Sequence, residues 1–475
     1  VPARKPTDEA LVQRIGQLEA DVRVRDERIA ALTAENEQLR RENTELKDRL
    51  ARLEATVQAL EEKLQESKRQ AGPFRRRETL KKPAEKKKRP GRRKGHKAAW
   101  RPRPPEIDRE INVPLCGCPN CKGELTGLRK REQIIEEIPP VRPESIKLTT
   151  WTATCPNCGE VESNHPLQTS RAVGAAGTHL GPRAQALAVV LAHQMGLPMR
   201  RTCEILETLC GLKLTPGGLA QLLKRAAGRV GSLYADILHR VRESDAVFAD
   251  ETSWYVGEPK WWLWVFTTDE VTLYRVEPGR SSDVVLDTLG EDFGGMLVSD
   301  CLASYNAINC RKHKCIAHHL RVLAEHVQTL EKRGIHSDYL MLWKTLLRDV
   351  ITTYDDRQRM SAEEYGLKSL QLFRGVTNLL DRSPPEPEEV AFRNRLAKQR
   401  DHLLGCLGEP AAEPTNNRAE RDLRPAVISR KLSCGNRTIA GKQAWERLRS
   451  VTETLRKQGV AVADSLVPYF SLAPQ

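Results

Sequence analysis

The sequence predicts a multidomain α/β protein on three observations: a seven-residue apolar repeat near its start, two near-identical Cys-Pro-Asn-Cys turns, and a run of strands with aspartates after two of them. A chain of 475 residues has room for about three domains with a sizeable core.

The repeat comes first. Leu11, Leu18, Leu32, Leu39, Leu46, Leu53 and Leu60 share one heptad register, and Ile15, Val22, Ile29, Asn36, Asn43, Leu50, Val57 and Leu64 fill the register four residues on. Leu at d with β-branched residues or Asn at a favours a parallel two-stranded coiled coil, because a buried Asn is least costly opposite its twin. The facing charges agree: Arg14 with Glu19, Glu35 with Arg40, Glu42 with Lys47 and Arg49 with Glu54 attract, and only Asp21 with Asp26 repels. A zipper over 8–66 that makes the protein a homodimer is the expectation. At 1.5 Å per residue, Leu11 to Leu64 is a rod of roughly 80 Å.

The segment 67–105 reads as a disordered basic linker. Net charge is +14, and residues 68–103 hold 17 Lys or Arg against two Glu, so the remainder is nearly neutral. Arg75, Arg76, Arg77, Lys86, Lys87, Lys88, Arg89, Arg92, Arg93 and Lys94, broken by Pro and Gly, form an arm for a polyanion, since each neutralised phosphate releases counterions. DNA is the expected partner. No apolar stretch approaches the roughly 18 residues of a membrane span, and the charged start is no signal peptide. A cytoplasmic, nucleoid-associated bacterial protein is expected, with no membrane partner.

Twelve Cys in such a chain point to metal or free thiols rather than bridges. Cys118 with Cys121 and Cys155 with Cys158 each put two thiolates on one turn, and four thiolates make a closed, structural zinc site. Between them Glu132 to Ile138 and Ser145 to Ala153 alternate like two strands joined across Pro139-Pro140, so a ribbon-like zinc knuckle with a hairpin is expected over 106–175. Cys116 could substitute as a ligand.

Over 176–243, Arg183 to Gln194, Met199 to Leu209 and Thr215 to Ala227 read as helices, the last with an N-cap and an N1 proline. The module is a helix-turn-helix with Lys224 and Arg225 toward DNA, or a plain helical bundle. From 244, Ala246 to Thr252, Lys260 to Thr268 and Val271 to Glu277 read as strands of a meander, followed by a helix from Ser281 to Leu289 and a strand from Gly295 to Ser299. Three strands, a helix and a strand, with acids ending the first and fourth strands, match an RNase H-like sheet. Adjacent ends would place Asp250 and Asp300 close enough to share a hard divalent ion such as Mg²⁺, or two about 3.5 to 4 Å apart. The four tryptophans Trp254, Trp261, Trp262 and Trp264 read as sheet packing. The best third acid is Glu420, on a capped helix where Asn417, Glu420 and Arg424 share one face; Asp422 projects elsewhere.

In order, Asp250-Glu251-Thr252, Ser299-Asp300 with Tyr305, Cys315-Ile316-Ala317-His318 and Asn416-Asn417-Arg418-Ala419-Glu420-Arg421 resemble the DDE transposases of the insertion-sequence sixty-six family. The zipper, basic linker and two-knuckle segment follow the same family order. The resemblance implies Asp250, Asp300 and Glu420 as a catalytic triad, with a helical insertion over 319–413 splitting the catalytic core into 244–318 and 414–475. It also matches Cys315 and His318 to a cysteine-two-histidine signature; by their chemistry these could be a second metal pair, a DNA contact, or a buried thiol and a core histidine. Asn416 and Asn417 are accessory candidates.

The function so implied is Mg²⁺-dependent cleavage at terminal inverted repeats and transfer of the ends to target DNA. Two Mg²⁺ ions, replaceable by Mn²⁺, and one structural Zn²⁺ are the expected cofactors. Arg421, Arg424, Arg430 and Lys431 are expected along the phosphate path. Higher-order assembly on DNA and companion proteins of the same element are further possible partners. The alternative is a catalytically inactive DNA-binding regulator derived from such an enzyme.

Overall fold

The computed structural model describes residues 12–48 except 29, 31, 32, 34, 36 and 46, residues 103–171 except 117, 128 and 140, and residues 178–471. The heptads beyond 48 and the ten basic residues named in the linker, Arg75 to Arg77, Lys86 to Arg89 and Arg92 to Lys94, lie outside the described residues. The chain divides into two compact units, Val1–Ile134 and Ile135–Gln475.

In the first unit every described residue from 12 to 48 is helical. Ile15, Leu18, Val22 and Leu39, all at heptad core positions, are exposed. Farther on, a turn at Cys118 is closed by Lys122 N–H donating to Cys118 O at 2.8 Å and Cys118 N–H to Gly123 O at 3.0 Å.

The expected hairpin across Pro139-Pro140 is not there: the described residues of 132–151 form no strand. Prolines at 139, 140 and 143 offer no amide to a ladder, which leaves that stretch unable to pair regularly. The second unit instead begins with a tighter hairpin, β1 (Thr152–Cys155) against β2 (Gly159–Glu162), in register Thr152↔Glu162 to Cys155↔Gly159. Its turn is the second Cys-Pro-Asn-Cys segment, and Gly159 supplies the φ of 77° that ends the turn.

Four helices follow: α1 (Pro182–Val189, continued as a π-helix Val190–Gln194), α2 (Met199–Cys210), α3 (Pro216–Arg229) and α4 (Gly231–Arg242). Thr215 caps α3, its side chain accepting from Gly218 N–H. Leu219, Leu222, Leu223 and Ala226 of α3 share one core with Val247, Trp264, Phe266 and Leu297 of the sheet. These helices therefore cover the sheet, and Lys224 and Arg225 lie on the exposed side of α3.

The sheet is mixed. Its strands are β3 (Ala246–Val256), β4 (Glu258–Thr267), β5 (Thr272–Glu277), β6 (Met296–Ser299) and β7 (Arg311–Lys314), in the order β5-β4-β3-β6-β7. The first three form the antiparallel meander; β6 and β7 are added parallel, after α5 (Asp283–Leu289) crosses over. Alternation sorts β3 into two faces, Val247 and Ala249 toward the covering helices, Ala246 and Phe248 toward a second core. The outer edge of β5 is closed by a helix. Thr454 Oγ1, Ser450 Oγ and a carboxylate oxygen of Glu446, four residues apart on α11 (Ile439–Lys457), accept from the amides of Thr272, Tyr274 and Val276.

After β7 come α6 (Ile316–Lys332), α7 (Asp338–Asp355), α8 (Ala362–Leu380) and α9 (Pro387–Ala397), packed around Leu340, Trp343, Leu347 and Phe392 as a core of their own. The chain then returns through α10 (Asn417–Ser433), which lays Ala419, Leu423, Ala426 and Val427 on the Phe248 face of the sheet, and ends in α11 and α12 (Val462–Phe470). Among the described residues no helix is long and apolar enough to cross a membrane.

Candidate active site

Parallel register positions the first two acids. β3 and β6 pair as Ala246↔Met296, Val247↔Leu297 and Phe248↔Val298, so two residues on, Asp250 stands level with Asp300. Asp250 is not at a strand end, as the sequence suggested: β3 runs on to Val256 with β4 as its partner. What ends is β6, and the notch beyond Ser299 leaves both aspartates on the Phe248 face of the sheet.

That face is the one α10 covers, and Glu420 sits in its first turn. Burial foremost, then the negative charges of Glu251 and Asp300, with Glu420 adding to them, push the Asp250 carboxyl well above the usual carboxylate range, against the pull of its bond from Glu251 N–H. Asp300 Oδ1 accepts from Leu302 N–H at 2.8 Å. Glu420 has His318 Nε2 at 3.9 Å, and burial lowers the pKa of that imidazole, as does Arg321. Among the described residues no Lys or Arg forms an ion pair with Asp250, Asp300 or Glu420. Asp250 on β3 thus feels the charges of Asp300 on β6 and Glu420 on α10, and none of the three is ion-paired with a Lys or Arg among the described residues.

No three His, Cys, Asp or Glu side chains among the described residues converge on one point as metal ligands. Mg²⁺ does not need that convergence, since it is commonly held by one or two carboxylates and keeps waters and substrate phosphates in its other positions. The donor set, hard carboxylate oxygens not ion-paired with a Lys or Arg among the described residues, fits such an ion.

Sequence reasoning named Glu251 and Tyr305 only as motif residues and missed Arg280 and Lys314, which with them frame the acids. Glu251 points to the opposite face of β3, its side chain 3% exposed, where Arg280 and the Tyr305 hydroxyl both donate to its carboxylate. The Arg280 guanidinium also lies 4.3 Å from the centre of the Trp262 ring. An Asp-Glu pair inside an apolar strand was the available signal, because alternation buries the second acid and a buried acid requires a donor. Buried Lys314 donates to Ser299 Oγ at 3.0 Å beside Asp300.

Of the expected phosphate contacts on α10, Arg421, Arg424 and Lys431 are exposed. Arg430 is not free: it is part-buried and donates to Thr252 Oγ1 at 3.2 Å, Ser253 Oγ at 2.8 Å and Ser253 O. Asp422 is buried and fully engaged, accepting from Thr267 at 2.6 Å and Thr272 at 3.1 Å and paired with Lys457 at 2.7 Å. Cys315 is buried and its thiol pKa is pushed up to about 11 by that burial. Asn416 takes the N-cap position of α10 without capping it, and Asn417 is exposed. A cavity of about 930 Å³ opens at the other end of β3, beside Asp245, Thr268 and Tyr354. Two of its three arginines are ion-paired, Arg240 with Glu270 and Arg418 with Glu413, while Arg357 donates to Tyr354 O.

Each cysteine turn folds alike. The amides of Asn120 and Cys121 point at Cys118 Sγ and those of Asn157 and Cys158 at Cys155 Sγ; with the second thiol of each turn donating as well, both leading thiols are shifted toward thiolate. Cys118 and Cys121 belong to the first unit and Cys155 and Cys158 to the second.

A family model described as "Transposase IS66 family" matches residues 177–444, more than half of the chain and the whole span from α1 into α11. The chain is also 25% identical over 307 residues to a Sinorhizobium fredii protein named "Uncharacterized protein y4qI", a match covering 57% of this chain and 55% of that one. It thus spans about half the length of the curated relative it matches.

Proposed function

This chain belongs to the IS66 transposase family, and from that premise we propose that it is a DDE enzyme that cuts DNA at the ends of its element and transfers those ends to a target. The observation that carries the reading is that Asp250 stands level with Asp300, 50 residues on, and feels the charge of Glu420, a further 120 residues along the chain. The neighbouring carboxylates add to burial in raising the pKa of Asp250, and a site that keeps acids together is suited to divalent ions. The strand order β5-β4-β3-β6-β7 with the acids at the notch supports an RNase H-like core.

In this reading Asp250 and Asp300 hold Mg²⁺ jointly and Glu420 completes the set from α10. The ions, when bound, lower the pKa of the attacking water or 3′-hydroxyl and stabilise the leaving oxygen. The chain's own part is placement. β3 and β6 fix the two aspartates in register, α10 presents Glu420, and Arg421 and Arg424 on the exposed side of that helix hold the phosphate backbone. The basic linker supplies sequence-independent DNA affinity. The exposed Ile15, Leu18, Val22 and Leu39 support pairing with a second copy through the zipper.

Each turn, with amides aimed at its leading sulfur, is suited to a thiolate metal ligand pair, and the four-thiolate spacing of the sequence is the reason to expect one structural Zn²⁺ per chain. One equivalent of zinc in the purified protein, lost in Cys155→Ser, is the expected result, and a metal-free protein with intact knuckle thiols counts against it. The test of function uses linear fragments carrying the element ends. The protein should nick them in Mg²⁺ and not in EDTA; binding without any metal-dependent cutting would leave only a DNA-binding regulator.

A further inference from the structure

The three acids lie on separate segments, and one small buried network ties those segments together. Cys315 N–H donates to Ser299 O at 2.9 Å, on the residue before Asp300. Asn416 Nδ2 donates to Ala249 O at 2.8 Å, on the residue before Asp250. Asn416 N–H donates to Cys315 Sγ at 3.1 Å, which joins the two contacts. Glu420 N–H donates to Asn416 O at 3.1 Å, so the turn that carries the third acid hangs from the same residue.

The chemistry suits the task. Both residues are fully buried, and the thiol stays neutral, so its large, soft sulfur accepts the amide without bringing a charge beside the acids. Pro414 O steadies the approach to α10, accepting from Ile316 N–H at 3.0 Å and lying 3.0 Å from His313 Nε2. Asn416 stands at the N-cap, where an Asn side chain ordinarily accepts from its own helix. Here it reaches across to β3, and its buried Oδ1 has no hydrogen-bond partner among the described residues. An unpartnered buried oxygen is destabilising. The contact it accompanies therefore serves position more than stability.

We propose that Cys315 and Asn416 form a positioning node that sets the spacing of Asp250, Asp300 and Glu420; it rests on the reading of those acids as the metal-holding set. Cys315 is then neither a metal ligand nor a nucleophile. Its sulfur is a hydrogen-bond acceptor that fixes where α10 begins.

The test uses the full chain with Asn416→Ala, Cys315→Ala and the milder Cys315→Ser, and with Asp422→Asn as a control that also disturbs α10 but lies off the network. Mn²⁺ affinity is read by titration with electron paramagnetic resonance, and amide exchange is read over residues 415–421. The two alanine variants should bind Mn²⁺ about tenfold more weakly than wild type and exchange faster there than the control, and Cys315→Ser should recover part of both. Exchange in both alanine variants no faster than in Asp422→Asn overturns the node. Asp250→Asn decides the parent reading separately. If it binds Mn²⁺ as tightly as wild type, the acids hold no metal, and the exchange comparison still decides whether Asn416 and Cys315 fix the start of α10.

Discussion

Glu420 and Asp422 stand two residues apart on α10 and end in opposite chemical situations. Asp422 turns into a cluster that the protein closes by itself: two threonine hydroxyls donate to it, Lys457 pairs with it, and the same ammonium also donates to Thr268 O at 2.9 Å. Glu420 turns, about 200° around the helix, toward Asp250 and Asp300, where it meets negative charge and a histidine at 3.9 Å. A buried acid whose partners are all present holds a fold together, because burying a charge is tolerable only when it is paired and hydrogen-bonded. An acid placed among other acids does not help folding. That difference separates the structural carboxylate of α10 from the one proposed to hold metal more sharply than burial does.

The largest effects follow from removing charge on the open side. Asp250→Asn keeps shape and loses the charge proposed to hold metal, so cutting of end fragments in Mg²⁺ should fall by about a thousandfold while end binding persists; Glu420→Gln should behave alike. Surviving cleavage in either variant breaks the comparison on its functional side. On the closed side, Asp422→Ala leaves the Lys457 ammonium buried without its partner and should cost about 3 to 5 kcal/mol in urea unfolding. The folded fraction should still cut. If Asp422→Ala abolishes cutting at full stability, the two acids have been assigned the wrong way round.

How far this was legible in the sequence differs from element to element. Helical periodicity alone separates Glu420 from Asp422, and the unbroken apolar run Ala246 to Ala249 marks β3 as a strand covered on both faces. The extension of β3 to Val256 was not legible, because it depends on pairing with Trp261 and Trp262 across a hairpin. β7 was missed for a related reason. Arg311-Lys312-His313-Lys314 looks like an exposed loop, yet three of its four side chains are buried, since Lys312 reaches Ile308 O and Lys314 reaches Ser299 Oγ. Lys457, the partner that makes Asp422 structural, is 35 residues away in sequence, beyond any local pattern. Local rules gave the acids; long-range hydrogen bonding decided which acid was satisfied.

Glu446 sharpens the comparison from the closed side. It accepts from Val276 N–H and has Lys442 Nζ at 3.3 Å, but burial outweighs both and pushes its pKa from 4.5 up to about 7. A carboxyl whose folded pKa is raised favours folding most when both states are protonated, so its contribution is fully present below about pH 4.5 and lost as pH rises through about 7. Between pH 4.5 and 8 wild type should lose about 3 kcal/mol relative to Glu446→Gln, measured by urea unfolding across that range. Parallel curves would show that Lys442 already compensates the charge, which would make Glu446 a second Asp422.

The smallest effect distinguishes two arginines on the same helix. Arg424 is exposed on the side of α10 that carries Asn417 and Glu420, whereas Arg430 is held by Thr252 and Ser253 of β3. Each phosphate contact contributes about 0.9 to the slope of log affinity against log salt concentration. Arg424→Ala should therefore shallow the salt dependence of end binding by about that amount, with no change in stability. Arg430→Ala should leave the slope unchanged and lower stability instead, because its guanidinium is already committed to the strand that carries Asp250. A slope change in the second variant and none in the first would mean that DNA displaces the β3 contacts of Arg430, and the phosphate path would then run over β3 rather than along the exposed face of α10.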